Sequence, residues 1–406
     1  MYGILKHLRV IEGASFVAAP SCALYLQQLG AQVIRFDDMR SAPDRNRWPK
    51  SAGGASLYWE GLNKGKQSVA LDLSRPEGRE IAIELITAPG DNAGLFVTNY
   101  PATGFLSFDN LATKRHDLIA LRLMGWPSGR QAVDYTVNSA IGVPFMTGPE
   151  SMGDQPVNHA LPAWDLLAGA YAAFCLLAAQ DNRRSTGRGG EIRLPLADVA
   201  ATALGNLGQI AEVIETQQER PRTGNDIFGA FGRDFETSDG KRLMVVAISA
   251  RQWRGLVTAL NVGAEVQAYE QLKGVDFSRD EGVRFMHRAF LNALVGGAIA
   301  QRSHDDLARA FNANGVCWDG YNTLGEFLRD NIGKRTDGLF ADIQHPSGLT
   351  YPTPGSASHW VGRERRPPEP APILGAHTEQ VLVEVLGYSS AKLARLIDQG
   401  VVHCPS

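Results

Sequence analysis

Asp165 occupies a position where a carboxylate could act as a nucleophile. It follows Leu161-Pro-Ala-Trp164 and directly precedes a long apolar run, Leu166 to Gln180, that predicts a buried helix. An aspartate at the start of a helix often serves as its cap, by accepting a hydrogen bond from an unpaired backbone N–H. The same place suits a reactive carboxylate, because the helix dipole keeps it ionised while the apolar surface beside it excludes water. The residues alone leave both interpretations open.

A second aspartate, Asp134, stands before Thr136-Val-Asn-Ser-Ala-Ile-Gly142, which has the composition of a short helix. A helix cap and a functional carboxylate are equally good interpretations of it. His159 and His377 have no companion residue at the spacing of a metal site or a catalytic triad. We therefore interpret both histidines as structural.

Basic residues in two segments could meet the phosphates of a ligand. One segment is Asn63-Lys-Gly-Lys66, and the other contains Arg40, Arg45 and Arg47. Charged residues in such runs are more often solvated surface. Asn99-Tyr100 follows a predicted strand, where the amide could contact a ligand or make a turn. None of these segments identifies a ligand by itself.

The elements that must position these residues alternate between strand and helix over residues 1–125. Apolar runs predict two helices, at 20–29 and 76–86, and five strands, at 8–11, 32–36, 67–71, 94–98 and 117–123. This alternation predicts a largely parallel sheet, whose ligands bind beyond the carboxyl ends of the strands. The candidate loops therefore follow Ile11, Phe36, Leu71, Thr98 and Leu123. Neither Gly-x-Gly-x-x-Gly nor Gly-x-x-x-x-Gly-Lys-Ser/Thr follows these strands, which disfavours the usual dinucleotide and nucleoside triphosphate sites.

Composition and charge exclude several classes of function. The chain has 406 residues, of which 44% are apolar and 20% charged, and its net charge is −3. These values are typical of a globular protein and disfavour disorder, nucleic-acid binding and binding to anionic membranes. The four cysteines are widely spaced, so zinc, iron–sulfur and disulfide sites are poorly supported. The N-terminus lacks the apolar core of a signal peptide, and Leu166–Gln180 is short for a bilayer span. We therefore expect a soluble, cytoplasmic protein. From the spacing of the cysteines we also expect no metal.

Changes in composition predict the domain organisation. Residues 1–200 are expected to form the N-terminal part of a large α/β domain, 200–225 a connecting segment and 225–325 a small domain. Residues 343–372 hold seven of the 21 prolines, which predicts an extended return segment, 326–375, rather than packed secondary structure. Residues 376–406 are expected to form C-terminal helices that rejoin the large domain.

A series of short segments occurs in an order and spacing that are more specific than any one of them. They are Leu8-Arg-Val-Ile-Glu-Gly13, Ala19-Pro20, Leu29-Gly-Ala-Gln-Val-Ile34, Leu62-Asn-Lys-Gly-Lys-Gln-Ser68, Asn99-Tyr100, Thr147-Gly148, Ala163-Trp-Asp-Leu-Leu-Ala-Gly169, Arg184-Ser-Thr-Gly-Arg-Gly189 and Leu374-Gly-Ala-His-Thr378. Over nearly the whole chain they resemble the family III CoA-transferases, which include formyl-CoA transferases, carnitine CoA-transferases and α-methylacyl-CoA racemases. Asp165 falls where that family has its catalytic aspartate.

The resemblance implies a fold and a set of partners. It implies an α/β fold with a large Rossmann-like domain and a small mixed α+β domain, joined by two long segments in an interlocked homodimer. The active site would lie between the large domain of one subunit and the small domain of the other. Acyl-CoA would be the substrate, with no cofactor beyond coenzyme A, and neither nucleic acid nor a membrane would be a partner.

The resemblance also implies roles for particular residues. Asp165 is expected to be the nucleophile, Asp134 an assisting or positioning carboxylate, and the backbone N–H groups near Phe16-Val-Ala18 the donors to an oxyanion. Arg233 and Asn225 are expected to bind a substrate carboxylate. The residues expected to contact CoA are Phe16, Val17, Ala18, Arg40, Arg47, Lys66, Leu71, Asn99, Tyr100 and Met124.

Three differences from other branches of the family narrow the expected reaction. Val133 stands where the racemases carry a histidine, so a base for proton transfer at an α-carbon is missing. The stretch from Asn225 to Phe235 is bulky and aromatic, where oxalate-type transferases have a mobile run of glycines. Asn99-Tyr-Pro-Ala-Thr103 lacks the arginine of the family's Asn-Phe-Arg-Pro-Gly pattern, so the CoA phosphates must depend on other cations.

Two further segments indicate the branch. Ala132-Val-Asp-Tyr-Thr-Val-Asn138 and Val157-Asn-His-Ala-Leu-Pro-Ala-Trp-Asp165 are most similar to the branch that moves CoA between the two carboxyl groups of one molecule. We therefore expect conversion of 2-methylfumaryl-CoA to 3-methylfumaryl-CoA through an aspartyl-CoA thioester on Asp165. Two alternatives stay open: an intermolecular transferase that uses a free dicarboxylic acid, and a catalytically silent protein that binds acyl-CoA.

Overall fold

The computed structural model describes residues 1–405, which divide into two compact units. The first unit contains Met1–Ile141, His159–Glu215 and Ile332–Ser406, and the second contains Gly142–Asn158 and Thr216–Asn331. Each unit is therefore assembled from separated stretches of the chain.

The secondary structure comprises strands and helices numbered here in chain order. The strands are β1 (Arg9–Gly13), β2 (Gln32–Asp38), β3 (Gln67–Leu71), β4 (Leu95–Thr98), β5 (Ile119–Met124), β6 (Gly190–Pro195), β7 (Phe231–Glu236), β8 (Arg242–Ala247), β9 (Cys317–Gly320), β10 (Phe340–Gln344), β11 (Thr350–Pro354) and β12 (Val402–His403). The helices are α1 (Ala18–Gln28), α2 (Leu57–Leu62), α3 (Pro76–Thr87), α4 (Phe108–Lys114), α5 (Asp134–Ala140), α6 (Val143–Met146), α7 (Ala163–Thr186), α8 (Leu196–Asn206), α9 (Gln209–Thr216), α10 (Ala250–Leu260), α11 (Gly263–Lys273), α12 (Glu281–Met286), α13 (Arg288–Ile299), α14 (His304–Asn314), α15 (Leu324–Asp330), α16 (Thr378–Leu386) and α17 (Ser390–Asp398).

A seven-stranded sheet forms the centre of the first unit, in the order β12-β3-β2-β1-β4-β5-β6. Every neighbouring pair is parallel except β12, which runs antiparallel to β3. The five strands predicted within residues 1–125 are all present, and β3 has the predicted bounds. The expected α/β fold with a largely parallel sheet is confirmed.

Helices cover both faces of this sheet, which explains why its central strands carry apolar side chains on both faces. Successive side chains of a strand point to opposite faces. Val10 and Val97 accordingly belong to the core that includes α1 and α7. Ile11 and Phe96 belong to the core on the other face, with α3 and α16.

Helix α7 crosses α1 at a point where no side chain fits. A Cβ atom placed on Gly169 would lie 2.8 Å from the carbonyl oxygen of Ala18 and 2.8 Å from Cβ of Ser21. Ala168 and Ala172, on either side of Gly169, are fully buried. Because Gly169 lies one helical turn after Asp165, this crossing brings the start of α7 close to the start of α1.

The second unit has its own smaller sheet and core. Strands β7, β8 and β9 form a three-stranded antiparallel sheet. Helices α10, α13 and α14 contribute buried side chains to the same core as this sheet, including Trp253, Leu291 and Phe311. This unit is therefore a mixed α+β structure.

The proline-rich segment contains a hairpin, which corrects the expectation that it lacks packed secondary structure. Strands β10 and β11 pair antiparallel, with Asp342 opposite Pro352 and Phe340 opposite Pro354. A two-stranded ribbon has only edge strands, so a proline can turn its missing N–H away from the partner strand. The carboxylate of Glu60 in α2 accepts hydrogen bonds from the Ser347 N–H and the Tyr351 hydroxyl, which ties the hairpin to the sheet domain.

Helix α7 is long and apolar enough, judged by length and composition alone, to cross a membrane. Its buried residues pack against α1 and β5 in the way a core helix does. Three large side chains on another side of the helix, Leu167, Tyr171 and Phe174, are exposed within the single chain. The helix therefore has one apolar side in the core and a second apolar row at the surface.

Gly169→Ala should destabilise the protein by about 1–3 kcal/mol, because α1 and α7 must separate to admit a methyl group. Alanine normally stabilises a helix interior by about 1 kcal/mol relative to glycine, so the steric effect must exceed that gain. Gly297→Ala in α13 is the matched control, since no atom lies within 4 Å of a Cβ placed there. Urea unfolding should show a loss of stability for the first variant only. Equal stability of the two variants would contradict the close crossing.

Candidate active site

Asp165 lies half-buried in the first turn of α7, and another aspartate caps that helix. The helix starts after Pro162, which makes no side-chain cap. The backbone N–H groups of Trp164 and Asp165 donate instead to Oδ2 of Asp134, at 2.7 and 3.0 Å. The interpretation of Asp165 as the cap is therefore wrong. Asp134 is a cap, but of α7 rather than of its own helix α5.

The Asp134 carboxylate is buried and makes a third close contact. Its Oδ1 lies 2.6 Å from Nε2 of His159. The His159 ring packs between the rings of Tyr135 and Trp164, at centroid distances of 5.7 and 6.1 Å. The indole N–H of Trp164 donates to Oδ1 of Asn138 at 3.0 Å. The Asp134 carboxylate and the rings of His159 and Trp164 thus join the start of α7 to α5.

The electrostatic environment of Asp165 favours a weakly solvated, basic carboxylate. Burial raises the pKa of the Asp165 carboxyl to about 7, and the negative charge of Asp134 adds to the rise. The guanidinium of Arg47 acts in the opposite direction. Within residues 1–405, no group donates a hydrogen bond to this carboxylate. Such a group is well suited to attack an electrophilic carbonyl.

The loop between β1 and α1 is held in a strained conformation. Phe16 has a φ of 71°, in the left-handed region that non-glycine residues rarely adopt. Its N–H donates to both carboxylate oxygens of Asp44, at 2.9 and 3.1 Å. The amide of Asn99 accepts from the N–H of Ser15 and donates to its carbonyl oxygen. The Phe16 N–H is therefore engaged, which corrects its expected role as an oxyanion donor, and the Asn99 amide positions the loop rather than a ligand.

Asp44 belongs to a buried ionic network centred on Arg35. The Arg35 guanidinium contacts the carboxylates of Glu12, Asp37 and Asp44 at 3.0, 2.8 and 3.1 Å. All four side chains are at most 2% exposed. Removing one member would leave an uncompensated buried charge, so the network fixes the ends of β1 and β2 relative to the loop at Phe16.

Two expected CoA contacts are buried, and the structure corrects them. The Lys66 ammonium contacts Glu12 at 2.7 Å and donates to the Pro20 carbonyl and to Oδ1 of Asn63, both at 3.0 Å. Its three N–H donors are thereby occupied and it is almost fully buried, so no phosphate can reach it. The Leu71 side chain is fully buried, and its carbonyl oxygen accepts from the Met39 N–H.

Two of the expected basic contacts keep accessible guanidinium groups. Arg47 lies over the rings of Phe16 and Tyr58, at 5.0 and 4.8 Å from their centroids. Arg40 is 64% exposed and pairs with Asp72 at 2.7 Å, just beyond the carboxyl end of β2. Tyr100 and Met124, which are partly buried, lie at the carboxyl ends of β4 and β5. These four residues therefore sit at the edge of the sheet where a ligand was expected.

The two residues expected to bind a substrate carboxylate both lie in the second unit. Arg233 lines a cavity of about 400 Å³. Its guanidinium lies 3.5 Å from Oδ2 of Asp226, and Arg288 approaches the same oxygen at 3.9 Å. Asn225 instead hydrogen-bonds to Asp234 and does not line the cavity. The charged residues of the cavity wall carry a net positive charge; they are Glu150, Arg222, Asp226, Arg233 and Arg288.

Sequence reasoning missed three residues that shape this site. His159 was interpreted as structural, because Asp134 lies 25 residues away and only the fold brings them together. Asp44 sits in a polar loop and gave no sign of being buried or of holding the Phe16 N–H. Tyr58 likewise gave no sign that it stacks on Arg47. Trp164 and Asp165 are adjacent in the sequence, but no sequence pattern indicates that Asp134 caps the N–H groups of both.

Asp165→Asn should stabilise the fold, and the gain should grow with pH. The folded-state pKa of about 7 lies above the unfolded value of about 4, so the fold favours the protonated carboxyl. Ionising the Asp165 carboxyl lowers the free energy of unfolding. This loss is absent below about pH 4 and reaches its full value above about pH 7. We expect a gain of about 4 kcal/mol at pH 8 that disappears towards pH 4.

Urea unfolding across this pH range measures that gain. Asp181→Asn, at an exposed aspartate on the same helix, is the matched control and should show no such pH dependence. A difference between Asp165→Asn and the parent chain that does not change with pH would contradict the raised pKa.

Comparison with known proteins places this site in a family. The chain is 46% identical to a 2-methylfumaryl-CoA isomerase from Chloroflexus aurantiacus, over 100% of this chain and 99% of the relative. It is 26% identical to a succinyl-CoA:glutarate CoA-transferase from Mus musculus, over 98% of this chain and 90% of that protein.

A solved structure and a family model agree with these relatives. The crystal structure of a CAIB/BAIF family protein from Brucella suis superposes with a TM-score of 0.75 at 23% identity, covering 94% of this chain and 99% of that one. The model of CoA-transferase family III matches residues 5–378. The segments that carry the resemblance, including Asp165, lie within that match. The chain belongs to CoA-transferase family III.

Proposed function

We propose that the chain is an intramolecular CoA-transferase that converts 2-methylfumaryl-CoA to 3-methylfumaryl-CoA. The observation that carries this proposal is the half-buried, unpaired carboxylate of Asp165 at the start of a core helix. The full-length similarity to a 2-methylfumaryl-CoA isomerase supports the choice of substrate.

In the first half of the reaction, Asp165 takes CoA from the substrate. A carboxylate oxygen of Asp165 attacks the C1 thioester carbonyl, and the carbon–sulfur bond breaks to give a mixed anhydride and CoA thiolate. The thiolate then attacks the Asp165 carbonyl, and the anhydride bond breaks to release the C1 carboxylate. The products are an aspartyl-CoA thioester and bound 2-methylfumarate. A carboxylate nucleophile is needed because each intermediate must keep an acyl group activated for transfer.

In the second half, the other carboxylate of the same acid takes CoA. The C4 carboxylate attacks the Asp165 thioester carbonyl and expels CoA thiolate, which leaves an anhydride at C4. The thiolate then attacks the C4 carbonyl, and Asp165 departs as a carboxylate. No proton or electron is gained or lost overall, so the reaction needs no cofactor beyond the CoA of the substrate.

The surroundings of Asp165 are suited to protect and stabilise these intermediates. Water would hydrolyse both the anhydride and the thioester, and the apolar first turns of α1 and α7 limit its access. The N–H groups of Val17 and Ala18, at the start of α1, are the proposed donors to the oxyanions. Arg40 and Arg47 are the proposed cations for CoA, because both keep accessible guanidinium groups at the carboxyl edge of the sheet.

Incubation with 2-methylfumaryl-CoA as the only acyl-CoA should yield 3-methylfumaryl-CoA, separated by chromatography. Asp165→Asn should reduce the rate by at least about 1,000-fold, because the nucleophile is lost, while Asp181→Asn retains the parental rate. A repeat with excess isotope-labelled free 2-methylfumarate should leave the product unlabelled. Label in the product would establish the intermolecular alternative. Failure of the parent protein to form the isomer would contradict the proposed substrate.

We further propose that the cavity lined by Arg233 binds the carboxylate of the substrate that is not reacting. Arg233 and Arg288 both approach Asp226 without closing a tight ion pair, so a second carboxylate can be accommodated. Asn225 does not line the cavity. Its proposed role is to support the segment next to Arg233 through its hydrogen bond to Asp234.

Arg233→Gln should raise KM for 2-methylfumaryl-CoA by about 10- to 100-fold, since a charge-assisted hydrogen bond is lost. An acyl-CoA without a second carboxylate should bind equally well to the variant and the parent. Arg279→Gln, at an exposed arginine of the same unit, serves as control. An unchanged KM would remove Arg233 from the site.

The same proposal includes a homodimer. Leu167, Tyr171 and Phe174 form an exposed apolar row on the helix that carries Asp165, and a second copy of the chain would remove that row from water. The proposed dimer is interlocked, with the second unit of one copy completing the site of the other. The proposed cellular compartment is the cytoplasm. Light scattering of the native protein should give twice the chain mass; a monomeric mass would contradict the dimer.

A further inference from the structure

His159 is the residue near Asp165 to which neither the family resemblance nor the proposed mechanism assigns a task. Its Nε2 lies 2.6 Å from Oδ1 of Asp134. The other oxygen of that carboxylate accepts the backbone N–H groups of Trp164 and Asp165. His159 is partly exposed, whereas Asp134 is almost fully buried. The ring is thus the solvent-facing end of a chain of contacts that runs through Asp134 to the nucleophile's own backbone.

We propose that His159 is a positioning residue for Asp165 that acts through Asp134. By donating from Nε2, His159 fixes the rotation of the Asp134 carboxylate, so that Oδ2 holds the first turn of α7. The expected effect on turnover rests on the proposed function, whereas the contacts themselves are independent of it.

The geometry explains why a partner for Asp134 matters. A buried carboxylate that is poorly paired is costly and can rotate to seek other donors. A rotation of Asp134 would release one or both N–H groups at the start of α7 and shift the Asp165 carboxylate with them. The rings of Tyr135 and Trp164 on both sides of His159 keep its imidazole directed at Asp134.

The charged groups around Asp165 come from three elements. The ionisable groups that interact with Asp165 are Asp134 from α5, Arg47 from the loop after β2, and Tyr58 from α2. The part of α1 that faces α7, from Ala18 to Ser21, has no charged side chain. Of these groups, Asp134 both holds the Asp165 backbone and contacts His159, so it is the link between His159 and the nucleophile.

Two substitutions test this role. His159→Gln retains an N–H donor, whereas His159→Leu does not. Above about pH 9, where Asp165 is ionised, the glutamine variant should isomerise substrate within about threefold of the parental kcat, and the leucine variant about 10- to 100-fold more slowly.

A double-variant cycle tests whether the effect passes through Asp134. Asp134→Asn should itself lower kcat, because the cap at the start of α7 is weakened. Adding His159→Leu to Asp134→Asn should then cause no further loss. His304→Leu is the matched control, since His304 also contacts a carboxylate, that of Asp305 at 3.2 Å, but in the second unit. It should leave the rate unchanged.

A measurement without substrate keeps this inference separate from the proposed function. In urea unfolding, His159→Leu should lower the midpoint concentration of the protein, because the buried Asp134 carboxylate loses a partner, whereas His159→Gln should largely preserve it. The loss should disappear in an Asp134→Asn background. An equal loss in both backgrounds, or a leucine variant with parental kcat, overturns the inference. Absence of isomerase activity in the parent protein would overturn the proposed function while leaving the unfolding cycle as the test of His159.

Discussion

The arrangement of this site depends on one hydrogen-bonded carboxylate, that of Asp134. It accepts the N–H groups of Trp164 and Asp165 and thereby caps a helix to which it does not belong. The cap fixes where α7 begins, and the crossing at Gly169 fixes where that start lies relative to α1. Burial raises the pKa of the nucleophile, and the negative charge of Asp134 adds to the rise. Asp134 therefore contributes to both the position and the reactivity of Asp165.

A second constraint acts on the opposite wall of the site. The network of Arg35 with Glu12, Asp37 and Asp44 is buried under the carboxyl ends of β1 and β2. Through Asp44 it holds the N–H of Phe16, which keeps that residue in a left-handed conformation and turns the chain into α1. A strained backbone persists only where its surroundings determine it. This loop therefore presents the start of α1 to Asp165 at a fixed place.

Most of the fold was predictable from the sequence, because the strands of residues 1–125 are apolar runs separated by amphipathic helices. The importance of Asp165 was also predictable, since it precedes the longest apolar run and matches a family motif. The burial of Lys66 was not, because its partner Glu12 lies in a different strand. The contact between His159 and Asp134, and the hairpin of β10 and β11, likewise arise from pairing across the chain that no local pattern records.

The most direct measurement locates CoA on the protein during turnover. An aspartyl-CoA thioester reacts with hydroxylamine to give a stable hydroxamate and free CoA, and peptide mass spectrometry then identifies the modified residue. With 2-methylfumaryl-CoA present, the hydroxamate should form on Asp165, and it should be absent without substrate. Turnover with no hydroxamate on Asp165, or with the modification on another residue, would contradict a mechanism in which this carboxylate carries CoA between the two ends of the acid.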